Sequence, residues 1–252
     1  MKTEAKFRVK LIVSYDGTDF CGWQKQTQSL KPSIQATLEA GVSKILKEPI
    51  SCTASGRTDA GVHAYAQVVH FDTTKNPDKI NLAKALRAML PETIVVKSST
   101  LVPLEFHSLF SAKAKTYRYV ISTNSTGPAF LNRFCHWYPF KFNFNHLQNL
   151  AQVLEGTHNF KSFQSVGTPV PNTVRTIFKS RWIQKSPNIY YFEITGNGFL
   201  KQMVRNIVGT QLYFMQKNRS PAELKLLIEA KDRKLAAYTA SPKGLFLLKV
   251  FY

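Results

Sequence analysis

Carboxylates are scarce in this chain. Asp and Glu number 15 in 252 residues against 34 Lys and Arg, a formal charge of +19 at neutral pH. A surplus of that size repels itself in the compact state unless a polyanion accepts it. Nucleic acid is the first candidate partner and an anionic membrane surface the second. Cysteine is scarcer still. Cys21, Cys52 and Cys135 are odd in number, far apart and without C-x-x-C spacing. They support neither a disulfide framework nor a zinc site, and reduced thiols in the cytoplasm fit them. The apolar run inside "MKTEAKFRVKLIVSYDG" is too short for a signal peptide. No run of 18 apolar residues is present to span a bilayer.

Common catalytic signatures are missing as well. There is no G-x-x-x-x-G-K-S/T loop for a nucleotide triphosphate and no H-E-x-x-H helix for a metal, and the six histidines are scattered. The G-x-S-x-G elbow of hydrolases is absent. So are the zinc-deaminase pattern and the aromatic octapeptide of RNA-recognition modules.

What is present is a folded composition. Apolar residues make up 44% of the chain, and 18 Phe, 10 Tyr and 3 Trp lie among the basic residues. The cations cluster at Lys113–Arg118, Arg175–Lys185, Lys201–Arg205 and Lys217–Arg219 rather than in one tail. Dispersed charge among aromatics suits a surface that tracks a phosphate backbone better than a membrane anchor does.

Periodicity predicts the elements. Phe7–Tyr15 alternates apolar and polar in part, with Val9, Leu11 and Val13 on one face, and reads as a strand, followed by a long loop from Asp16 to Lys31. Pro32-Ser33 opens a helix with Ile34, Leu38, Val42, Ile45 and Leu46 on one side. Residues 50–55 and 66–73 read as strands, 80–90 as a helix closed by Pro91, and 94–102 as a strand. Strand, helix, strand, strand, helix, strand is the ferredoxin-like plan. The second half repeats it loosely: strand 115–123, helix 145–154, a hairpin of 176–184 and 189–195, a long helix 198–215, a short helix 221–229 and a closing strand 245–252. The expected fold is α+β, with a half over 1–106 and a half over 107–252. Two such halves would join edge to edge, which hides sheet edges and leaves a cleft.

The decapeptide "SGRTDAGVHA", Ser55–Ala64, carries the candidate chemistry. Asp-Ala-Gly is good turn chemistry between two strands. The segment is nevertheless longer than a tight hairpin needs, and Arg57 puts a cation on the same loop as Asp59. That arrangement suits a nucleophile or general base better than a general acid. Both readings of Asp59 stand at this point.

The decapeptide resembles the active-site motif of the tRNA pseudouridine synthase A family. "SYDGTDFCGWQKQ" (14–26), "KTYRYVI" (115–121), "FKSFQSVGTPVPNTVRTI" (160–177) and "GNGFLKQMVRNIVG" (196–209) resemble further blocks of that family in order and spacing. The departures, Lys201-Gln202 and "TASPKGL" (239–245), leave local RNA contacts open. The resemblance implies isomerisation of uridine to pseudouridine in the anticodon stem-loop of tRNA, at positions 38–40, with no cofactor and no catalytic metal. It also implies a homodimer, and two α+β halves whose sheets join around a central basic cleft.

Roles follow from the same resemblance. Asp59 is the catalytic carboxylate, attacking sugar or base or abstracting a proton. Tyr117 lines the base pocket, against the plainer reading of a core strand aromatic. Arg205 pairs with Asp59, whereas Lys201, four residues before it, reads equally as a solvated edge. Arg57 holds the vacancy left by an everted nucleotide, or lies idle on the surface. His63 contacts phosphate or caps the strand behind it. Phe20 and Trp23 stack on RNA if exposed and anchor their loop if buried. The rival reading is a non-catalytic RNA-binding protein or tRNA chaperone, which shares the charge but has no need of Asp59.

Overall fold

A computed structural model describes residues 7–167 and 170–252. The chain is mixed α+β, with a large, mostly antiparallel sheet and few helices. It divides into two compact units, Met1–Lys113 with Leu247–Tyr252, and Ala114–Phe246.

In unit one, strand β1 (Phe7–Tyr15) buries Val9, Leu11, Val13 and Tyr15 and leaves the alternate residues partly exposed. This is the period-2 pattern of a half-buried strand. β1 runs antiparallel between β3 (His63–Thr73) and β4 (Ile94–Val102). The order is β4-β1-β3-β10, where β10 is Leu245–Phe251. Strand β2 is confined to Thr53–Ala54, against the longer run expected over 50–55. The reason lies in Cys52, whose N–H is taken by the buried Glu39 carboxylate at 2.7 Å instead of a strand partner.

Helix α1 (Ile34–Leu46) starts where Ser33 accepts a hydrogen bond from Ala36 N–H. Its buried stripe is Ile34, Leu38, Val42 and Leu46, and Ile45 is only partly covered. Helix α2 is shorter than expected, Leu82–Arg87. Asn81 caps it, and Ile80 is extended behind a 3-10 turn at Pro77–Lys79. Leu82, Leu86 and Leu90 are still buried together.

In unit two the strand order is β5-β9-β8-β7: β5 Ala114–Ser122, β9 Ile189–Gly196, β8 Val174–Ser186 and β7 Gly156–Asn159. β6 (His136–Trp137) runs parallel to β5. β5 opposes β9 with Tyr117 facing Ile194 and Tyr119 facing Phe192. Directly opposed residues share a face. Arg118 therefore points to the other side, where it pairs with Glu193 at 2.6 Å. Helix α3 (Phe144–Gln152) and helix α4 (Met203–Gln216) meet the sheet through Trp182. Its N–H donates to Gln148 Oε1 at 2.8 Å and its ring N–H to Gln211 Oε1 at 2.7 Å. Helix α5 (Pro221–Ala230) has a capping box of Ser220 and Glu223.

Helix α4 starts at Met203, five residues later than expected from the apolar pattern. Asn197 N–H bonds Thr176 O across the hairpin end, and Gln202 sits in the left-handed region at φ 58°. Lys201 therefore lies in a turn before the helix and not on its flank.

Candidate active site

The loop from Ser55 to Val62 joins β2 to β3, and neighbouring backbone pins it on both sides of Asp59. Before Asp59, Trp23 N–H donates to Thr58 O at 3.0 Å. The Tyr15 hydroxyl lies 2.8 Å from Thr58 Oγ1, and burial pushes that phenol up to about 12. Gly22 makes the approach possible. Its φ is +106°, and a Cβ there would stand 2.7 Å from Thr58 O. After Asp59, Val62 N–H closes a turn onto Asp59 O at 3.1 Å, with Gly61 at φ +74°. Gly17 abuts this turn so closely that a Cβ would lie 2.0 Å from Val62 O. The turn chemistry read from Asp-Ala-Gly is thus real, and it sets the carboxylate-bearing residue between two anchored points.

Asp59 is partly exposed and Arg57 is exposed on the same loop. Phe20 and Trp23 are not exposed. They keep 5% and 2% of their surface, so they anchor the loop after β1, and the expectation that they stack on RNA is corrected. His63 is buried with its Nδ1 accepting Gly17 N–H at 3.1 Å and lying 3.2 Å from Asp16 Oδ1. It ties the two loops together and offers no surface for phosphate.

Unit two carries the other candidates. Tyr117 is buried on β5, with the Phe199 ring edge-on at 5.0 Å. Lys115 shares that face two residues earlier. Burial, and then the charge of Arg175, bring its ammonium down to about 8. Next on the face, Tyr119 donates its hydroxyl to Ser241 O at 2.7 Å, and burial raises that phenol. Arg205, in the first turn of α4, donates from Nε to Ala240 O at 2.8 Å, while Ala240 N–H returns a bond to Arg205 O at 3.1 Å. This pair fastens the segment before β10 to α4. Lys201 is exposed and donates to Val166 O at 2.8 Å. The quoted block 160–177 includes residues 168–169, which lie outside the described residues.

Tyr15, Lys115 and Phe199 lie against these candidates without having been singled out in the sequence. Lys115 left a signal, since it is a charge at an inward position of an otherwise aromatic and apolar face. Tyr15 left none, because its partner Thr58 is far away in the chain. Among the described residues no group of three or more His, Cys, Asp or Glu could hold a metal ion. No helix among them is long and apolar enough to cross a membrane.

Comparison with known proteins bears directly on this arrangement. A family profile described as tRNA pseudouridine synthase matches residues 11–111 and 150–252. The tRNA pseudouridine synthase A of Bdellovibrio bacteriovorus is 47% identical over 248 residues, covering 97% of this chain and 95% of that protein. That of Geobacillus sp. strain WCH70 is 44% identical, covering 97% and 98%. That of Geobacillus kaustophilus is 42% identical, covering 97% and 94%. With matched segments on both units and near-complete coverage of its relatives, the chain belongs to the tRNA pseudouridine synthase family.

Proposed function

We infer that the chain isomerises uridine to pseudouridine in tRNA, at positions 38–40 of the anticodon arm, with Asp59 as the catalytic carboxylate. The reaction breaks the C1′–N1 bond, turns the base and joins C1′ to C5. The C5 proton leaves and N1 gains one, so atoms and electrons balance within the substrate. The observation that carries the reading is the loop around Asp59. Two glycines, a tyrosine and a tryptophan backbone N–H hold it, and an exposed guanidinium stands two residues away. A group that must meet one atom of a bound nucleotide needs such fixation.

Arg57 is assigned the space vacated when the uridine leaves its stack, since a planar cation stacks well. Tyr117 is assigned the face of the uracil and the C5 proton, and Arg205 a guanidinium charge that orients the reacting groups. Lys201 is assigned phosphate. Each half is proposed to follow the ferredoxin-like plan, and the enzyme to work in the cytoplasm as a homodimer.

The test is incubation with an unmodified tRNA transcript followed by mapping of pseudouridine. Product confined to uridines at 38–40, and lost when they are changed to cytidine, is the expected result. Product elsewhere overturns the site assignment. Binding without product leaves a non-catalytic RNA-binding protein. Affinity should also fall steeply with salt, by roughly 0.7–0.9 in log K per phosphate contact for each unit of log salt. A flat response would mean that the +19 charge serves something other than RNA.

A further inference from the structure

Gln67 is fully buried on β3, in the run Val68, Val69, His70, Phe71. A buried amide costs free energy unless its polar atoms are satisfied. All of its hydrogen bonds go to one place. Its Oε1 accepts Ser55 Oγ–H at 2.7 Å, and its Nε2 donates to Gly56 O at 2.8 Å. Nε2 also reaches the Tyr15 oxygen at 3.4 Å, and that hydroxyl is 2.8 Å from Thr58 Oγ1. The Gly56 carbonyl can only accept, so it fixes which end of the amide faces the loop. Of the four residues that precede Asp59, Ser55, Gly56 and Thr58 are thus held by one side chain, directly or through Tyr15. Arg57, the remaining one, is the exposed residue.

We propose that Gln67 is the positioning residue of the active site: its carboxamide, through Ser55, Gly56 and the Tyr15–Thr58 pair, sets where Asp59 stands when a target nucleotide is bound. This rests on the reading of Asp59 as the catalytic carboxylate. A strand that needed only to fill the core would be served by an apolar residue of similar length, as Val69 and Phe71 serve on either side of His70. Breaking that local rule is worthwhile where a loop must be held rather than merely covered. Gln67 touches no substrate in this scheme and acts only through the backbone it bonds.

The test compares Gln67→Met, which keeps length and loses every hydrogen bond, with wild type, Tyr15→Phe, Asp59→Ala and Gln148→Met. Gln148→Met removes a different side-chain acceptor, the one that serves Trp182 N–H in unit two, and controls for the loss of a structural bond. Single-turnover rate, tRNA affinity and Tm are measured for each. For Gln67→Met the expected result is a rate loss on the order of 10²-fold with affinity nearly unchanged, at temperatures where the protein is folded. Tyr15→Phe should lose rate in the same way but less, and Gln148→Met should lose Tm without rate. A wild-type rate for folded Gln67→Met overturns the proposal, provided Asp59→Ala is inactive. An active Asp59→Ala overturns the underlying reading instead. If Gln67→Met fails to fold, Tyr15→Phe decides: a slowed rate at unchanged affinity supports the proposal, and an unchanged rate overturns it.

Discussion

Asp59→Ala is expected to bind unmodified tRNA about as tightly as wild type and to form pseudouridine slower by on the order of 10³-fold or more. Affinity for RNA comes mostly from cations on phosphates, and removing one carboxylate from a chain of charge +19 takes away no such contact. Rate is different. The base must be detached, turned and rejoined, and the carboxylate is the group assigned to start that sequence. Asp59 O already accepts Val62 N–H through the backbone, and alanine keeps that bond, so the turn survives the substitution. Filter binding and single-turnover mapping of the product separate the two quantities. A parallel loss of affinity and rate would mean that Asp59 holds the loop rather than reacts.

Gly17→Ala is expected to cost about 1–3 kcal/mol of stability as an overpacked contact. It should also slow the reaction by on the order of 10²-fold through displacement of the catalytic loop. A Cβ at residue 17 would lie 2.0 Å from Val62 O, which is backbone and has no rotamer to escape into. Ordinary C···O contact is about 3.3 Å, so the two loops must part by more than an ångström. Val62 closes the turn that begins at Asp59, so the displacement passes straight to the carboxylate. Gly41→Ala is the contrasting case. There the Cβ would meet only side-chain tips, Leu90 Cδ2 at 3.1 Å and Leu86 Cδ2 at 3.3 Å, which need to shift by a few tenths of an ångström and not by more than one, and the helix gains a better former. Thermal melts and initial rates of the two variants decide the matter. Equal Tm and rate for Gly17→Ala would show that the contact does not position Asp59.

Much of this architecture was legible from pattern. β1 and β4 match the residues expected: β1 because one-sided burial leaves an alternation from Val9 to Tyr15, and β4 because Ile94 and Val96 start a β-branched run directly after the Pro91 break. α1 was legible because Ser33 supplies a cap and the stripe after it has a helical period. The start of α4 was not. Gly198, Phe199 and Leu200 continue the apolar helical period, yet the hairpin end takes Asn197 and Gln202 turns left-handed, and both are tertiary facts. β6 and β7 are two and four residues long, too short to carry a period. Phe20 and Trp23 show the same limit, since a loop aromatic reads alike whether it faces RNA or the core. The choice between turn and catalyst at Asp59 turned out to be no choice locally, because the turn from Asp59 to Val62 is the structure that presents the side chain. Gln67 left the faintest trace, one amide beside Val68 and Val69, with partners in the Ser55 loop and in β1.

The most direct measurement uses tRNA carrying tritium at C5 of its uridines, under single-turnover conditions, with wild type and Asp59→Asn. Joining C1′ to C5 expels the hydrogen there, so each pseudouridine releases one tritium to water. Asparagine keeps the shape of the side chain and removes its charge. Release by wild type and none above background by an Asp59→Asn enzyme that still binds tRNA is the predicted result. Release by Asp59→Asn at the wild-type rate would contradict the account.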